Sequence, residues 1–182
     1  MAEIKLVPRS EVDPSITWDM TLLYPSDEAF YAELEKLKKE MKAFKEKYEN
    51  QLGDLEVLDE AIRKYEAIEL AVYRASHYAE LPMTVDRLNP KVVENATAFE
   101  AVSVSYAENM SFVMTELISL DEAFLNQFVA EKRPDLAYFV EKVIRQKKHT
   151  LSKDAEQVLS NLSSLPSFYQ LYEVTKHEDM QF

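Results

Sequence analysis

The chain has 182 residues, 47% hydrophobic and 30% charged, with 21 Lys and Arg against 33 Asp and Glu and a net charge of −12. This is the composition of a folded globular protein, and its acidity opposes contact with nucleic acid or an anionic membrane surface. The absence of cysteine excludes disulfides and thiolate metal sites and fits a reducing cytoplasm, while a single glycine, Gly53, argues for helices over the tight turns of a sheet.

The first residues, Met1 to Pro8, hold no long apolar core and read as no signal peptide. No run of about 18 uncharged apolar residues follows anywhere, so no membrane span is expected. Pro14 and Pro25 bracket a segment with the sole tryptophan, Trp18. Proline pushes its preceding residue toward extended geometry, so residues 1–25 are expected to form an extended arm. Trp18, Leu22, Leu23 and Tyr24 supply the surface by which that arm would dock on a core.

Three long helices are predicted within residues 26–118. Ser26 caps the first, with Asp27 and Glu28 suited to the helix dipole. Phe30, Leu34, Leu37, Met41, Phe44 and Tyr48 recur at alternating spacings of four and three, and lysines interleaved with glutamates form a solvated face. Ala61, Tyr65, Ile68, Val72, Ala75 and Ala79 repeat the pattern, and Leu81-Pro82 ends that helix. Asn89 and Pro90 open the third helix. Its seam is Val92, Ala96, Phe99, Ser103, Tyr106, Met110, Val113 and Leu117, and unbroken from 90 to 118 it would span roughly 43 Å. Off-seam Ile62, Leu70, Val93, Val102, Val104, Phe112 and Met114 predict that the second and third helices are buried on more than one side.

Residues 119–182 read as shorter helices. Ser119-Leu120-Asp121-Glu122 resembles a capping box opening 120–131. Asp135 would cap 136–147, Ser152 would cap 153–163, and a last helix would lie near 166–176. The basic run Arg145 to His149 suits a helix C-terminus. The expected fold is all-α: one helical domain over 1–182, an elongated antiparallel bundle of long helices followed by shorter ones, with an extended N-terminal arm.

The chemistry-bearing residues are sparse. His177-Glu178-Asp179-Met180-Gln181 begins like the zinc-protease motif, but Gln181 stands where the second histidine is needed. His77 and His149 lie on other elements, so ligands are lacking. A di-iron bundle needs Glu three residues before each histidine, and those positions hold Arg74, Gln146 and Val174. One glycine excludes a nucleophile elbow, a P-loop and a dinucleotide fingerprint. No catalytic, cofactor-binding or metal-ligating residue is therefore predicted, and the chain alone is expected to be inactive. Tyr73, His77 and Tyr78 are the candidates for substrate contact. The competing reading makes His77 a hydrogen-bonded histidine at a helix boundary. Tyr65 and Tyr106 lie on seams and read as core.

The arm Trp18-Asp19 to Leu23-Tyr24 is followed by SDEAFYAEL, LAVYRASHYAELPMTVD, LISLDEAFLNQFV and LSKDAEQVLSNLSSLPSFYQLYE. In order and spacing, over nearly the whole chain, these segments resemble the amino-terminal part of oligoendopeptidase F, a zinc metallopeptidase of the thimet oligopeptidase family. The resemblance implies a non-catalytic helical lobe that walls and gates the peptide channel of a longer hydrolase. Zinc and the His-Glu-x-x-His helix would belong to a missing carboxy-terminal catalytic part, and Phe182 would be a truncation point. The implied partners are that catalytic part of the same polypeptide and short peptides, with self-association through exposed apolar surface also open. Two other readings stand beside it. One is a standalone helical interaction module offering a groove to a partner helix. The other is an intact enzyme acting through His77 or His177.

Overall fold

The structure, a computed structural model, describes residues 11–147, His149 and Tyr172, and the regular elements among them are all helical. The chain divides into two compact units, Met1–Val143 and Ile144–Phe182. In the second, the described residues are 144–147, which end a helix, His149 in a turn whose N–H donates to the Gln146 carbonyl at 2.9 Å, and the exposed helical Tyr172.

The first unit is built on three helices. Helix α1 (Asp27–Tyr48) starts at Ser26, whose hydroxyl accepts from the Ala29 N–H at 3.3 Å. All six residues of its expected seam are buried. Lys45 and Lys47 occupy its last turn, where positive charge favours the dipole. The connection to α2 (Leu55–Glu80) turns at Asn50, with φ 63°, a left-handed conformation that Asn tolerates better than most residues. Asp54 caps α2 by accepting from the N–H groups of Glu56 and Val57. Pro82 stops it, and a short 3-10 turn (Pro82–Thr84) leads to α3 (Pro90–Met110), capped by Asn89.

Side-chain pairs give the helix directions. Asp27 meets Tyr78 at one end of α1 and Lys47 meets Glu60 at the other, so α1 and α2 are antiparallel. Tyr31 meets Asn95, and Lys45 meets the Glu108 carbonyl, so α1 and α3 run the same way. This is an all-α bundle, as the periodicity predicts.

In the three long helices and the arm, the structure differs from expectation. The third helix does not run unbroken: it is interrupted at Ser111, and α4 (Phe112–Ser119) follows. Phe99, Met110, Val113 and Leu117 are buried as the seam predicts, but at two other places the buried position shifts by one residue. Ser103 is exposed, while Val102 is fully buried and Asn95 joins Phe99 and Met110 inside. A hydroxyl at position 103 needs a partner or water, and Val102 does not, so the shift resolves that conflict. Of the off-seam residues, Ile62, Val102 and Phe112 are buried, but Leu70, Val93 and Val104 are exposed and leave the outer faces of α2 and α3 open. Finally, residues 13–24 are not extended throughout. They form two 3-10 turns, Pro14–Ile16 and Met20–Leu22, and Trp18 and Leu22 point to solvent; Tyr24 alone of the four docking candidates is fully buried.

Helix α5 (Glu122–Glu131) is capped by Asp121 rather than Ser119, whose hydroxyl instead donates to the Glu116 carbonyl. Helix α6 (Ala137–Lys147) follows a 3-10 turn (Pro134–Leu136), and Asp135 pairs with Arg133 instead of capping. The expected helix at 153–163, that at 166–176 apart from Tyr172, and the His177 motif lie outside the described residues.

Candidate functional site

Where α1 begins, a polar cluster ties three helices together. The Asp27 carboxylate accepts from the Tyr78 hydroxyl at 2.9 Å and from Asn95 Nδ2 at 3.0 Å, while Lys91 Nζ lies 3.6 Å away. Asn95 is buried, and its other amide atom accepts from the Tyr31 hydroxyl at 2.7 Å. Burial alone would raise the Asp27 pKa, but the bonds from Tyr78 and Asn95 and the Lys91 charge hold it below its ordinary value. Burial, and then the Asp27 carboxylate, push the Tyr78 phenol up to about 12. The Tyr78 ring packs edge-on against Tyr24, 5.3 Å between centroids, and beside Phe30 at 4.8 Å. Tyr78 thus faces the inside of the bundle.

Tyr73 and His77 face out. With Leu70 they are spaced three and four along α2, so the three share one exposed stripe. The His77 ring stacks on Tyr73 at 6.1 Å, and its Nδ1 donates to the Tyr73 carbonyl at 2.7 Å. That bond selects the tautomer and leaves Nε2 as the remaining polar atom of the ring. Of the three residues singled out in the sequence, the structure brings Tyr73 and His77 together and directs Tyr78 elsewhere. On α3, Val93 and Val104 are about three turns apart and share its outer stripe, and the exposed Val85 and Leu88 lie on the connection between the helices.

Two further networks are built on α2. Tyr65 donates to the Tyr106 hydroxyl at 2.9 Å, and Tyr106 donates to Glu69. Burial raises both phenols, Tyr106 furthest, with Glu69 adding to the rise, so neither acts as a base near neutrality. Arg133 is buried and forks between Asp135 and Glu66, with bonds of 2.7 Å to each. Beside it, a cavity of about 170 Å³ is lined by apolar residues including Ile62, Met114 and Phe139. It excludes Tyr73, His77 and Tyr78.

A family model described as Oligopeptidase F matches residues 116–182. An oligoendopeptidase F homolog from Borreliella burgdorferi is 25% identical over 179 residues, which cover 97% of this chain. Along nearly its whole length the chain is similar to oligoendopeptidase F proteins. Oligopeptidase PepF of Bacillus subtilis is 28% identical over 190 residues, covering all of this chain. A solved structure of a Chlamydophila abortus protein described as a peptidase superposes on 94% of the chain with a TM-score of 0.70 and 25% identity. The chain spans only about 30% of the length of these proteins, 30% and 28% of the two sequences and 29% of the solved chain.

Among the described residues, no group of three or more His, Asp or Glu is placed to hold a metal ion. His77 keeps Nε2, but no second and third ligand is grouped with it, so the described residues do not fit zinc. The sequence reading missed Asn95 and Arg133. A polar Asn at a seam spacing from Phe99 was the available signal for the first, and the Arg133-Pro134-Asp135 triplet for the second.

Proposed function

We propose that this chain is the non-catalytic helical lobe of a zinc-dependent oligoendopeptidase that hydrolyses short peptides, and that it walls and gates the substrate channel. One observation carries this reading: the match runs along nearly all of this chain but less than a third of each longer relative. Zinc and the catalytic helix would lie in the remaining carboxy-terminal part. The outward stripe of α2 supports the gating role, since Tyr73 and His77 offer apolar area with polar tips suited to a peptide. Tyr78 then serves by holding α2 to α1 through Asp27. A cytoplasmic location accords with the lack of cysteine, and no described helix is long and apolar enough to cross a membrane.

The test is a ladder of peptides of graded length, assayed with the longer polypeptide from the same gene. Tyr73→Ala with His77→Ala is expected to shift the kcat/KM ratio of long to short peptides at least about threefold, close to 0.7 kcal/mol, with zinc content unchanged. An unaltered ladder would sink the reading. So would a reading frame that stops at the codon for Phe182.

A further inference from the structure

The segment before α1 is shaped but uncovered. Asp13 accepts from the Ser15 N–H at 2.9 Å, and Asp19 from the N–H and hydroxyl of Thr21 at 2.9 and 2.6 Å. These local bonds close the two 3-10 turns. The end of the segment is moored to the bundle: Arg74 Nη2 donates to the Leu23 carbonyl at 2.8 Å, and its guanidinium lies 5.6 Å from the Tyr24 ring centre. In these turns and between them, three large apolar side chains turn away from the bundle. Ile16 is 78% exposed, Trp18 87% and Leu22 79%. Among the described residues of the first unit, Trp18 is the most exposed of these three side chains.

We propose that Ile16, Trp18 and Leu22 form a latch that docks into an apolar recess on the remainder of the longer polypeptide, beyond the residues present here. This rests on the reading of the chain as one lobe of a larger peptidase. The choice of occupant follows from area, charge and chain length. An aromatic side chain buries at most about 150–250 Å², so three side chains fall well short of the roughly 800 Å² per partner in a stable interface between separate proteins. A second copy would also bring another −12 of charge to the contact. A tethered partner needs far less contact, because covalent linkage supplies millimolar effective concentration. The relatives carry more than twice this chain's length outside the matched part, which is ample chain to form such a recess. Turns already closed by local bonds reduce the entropy lost on docking.

The test compares one variant in two contexts. Ile16→Ser, Trp18→Ser and Leu22→Ser are combined in the 182-residue chain and in the longer polypeptide from the same gene. The expected result is a midpoint of thermal unfolding changed by less than about 1 °C in the chain, but lowered by at least about 3 °C in the longer polypeptide. No change in either context overturns the latch. A drop of equal size in the chain also overturns it, because the residues would then pack within their own bundle. Self-association of the chain that the substitutions abolish, measured by sedimentation, overturns it in favour of a second copy. The latch and the gating reading fail separately: an unaltered peptide ladder with a lowered midpoint removes gating and leaves the latch.

Discussion

No large apolar side chain of α1 is exposed, whereas α2 and α3 carry apolar residues both in the core and on an outward stripe. Helix α1 presents lysines and glutamates to solvent, and Lys36–Glu33 and Lys38–Glu35 pair along it. Helix α2 leaves Leu70 and Tyr73 uncovered, and α3 leaves Val93 and Val104. Burying one such side chain is worth about 1.5–3 kcal/mol, so exposing four forgoes a sizeable stabilisation unless something else covers them. The difference separates a helix finished on its solvent side from two helices whose outer faces suit a partner surface.

The largest effect expected across this divide is in the core. Phe30→Ala should cost about 3–5 kcal/mol in chemical denaturation, because Phe30 is fully buried among Tyr24 and Tyr78. Leu70→Ser should change stability by less than about 0.5 kcal/mol. A cost above about 1 kcal/mol at Leu70 would break the comparison by placing that residue in the bundle's own packing.

A middle-sized effect is expected at the cluster joining α1 to α2 and α3. Tyr78→Phe removes one bond to a carboxylate and should cost about 1.5 kcal/mol near neutral pH. The Asp27 pKa is depressed in the folded state, so its contribution is fully present above its unfolded value of 3.8 and is lost as pH falls through the lower folded value. Tyr78 titrates only at about 12, so the bond persists through neutral and mildly basic pH. Denaturation curves for wild type and Tyr78→Phe should therefore differ by a constant amount from pH 5 to 9 and converge in strong acid. A gap that persists once the Asp27 carboxylate is protonated would show that the hydroxyl does not act through that charge.

The smallest effect sharpens the loop between α1 and α2. Gly53 has nothing within 4 Å of where a Cβ would stand, and its φ is not positive. Gly53→Ala should stabilise by about 0.4–1 kcal/mol through a less flexible unfolded chain, raising the denaturation midpoint. A loss of stability would show that the turn needs its glycine.

Much of this was legible from periodicity. The α1 seam emerged residue for residue because its polar face is unambiguous: Leu34, Leu37 and Met41 each stand between two charged residues. In α3 the same rule slipped by one residue, since Val102 and Ser103 both fit the spacing and α1 selects between them by offering Tyr31 and Asp27 to Asn95. The caps at Ser26 and Asn89 were readable because they depend on neighbours in the chain; at α5 the expected Ser119 cap lost to Asp121, because the Ser119 hydroxyl turns back to the Glu116 carbonyl. Tyr73, His77 and Tyr78 were singled out together as residues of one short stretch. Helix geometry turns Tyr73 and His77 outward and Tyr78 inward, and adjacency in sequence carries no such direction.

By itself the sequence determined the helical class, the α1 seam, most helix boundaries and the likeness to oligoendopeptidase F, because these rest on spacing, capping residues and segment order. The tertiary structure decided the one-residue shifts in α3, the break at Ser111, the Arg133 fork between Glu66 and Asp135, and the exposure of Trp18. Those features depend on which distant groups meet, and an apolar residue reads the same in sequence whether it enters its own core or awaits another surface.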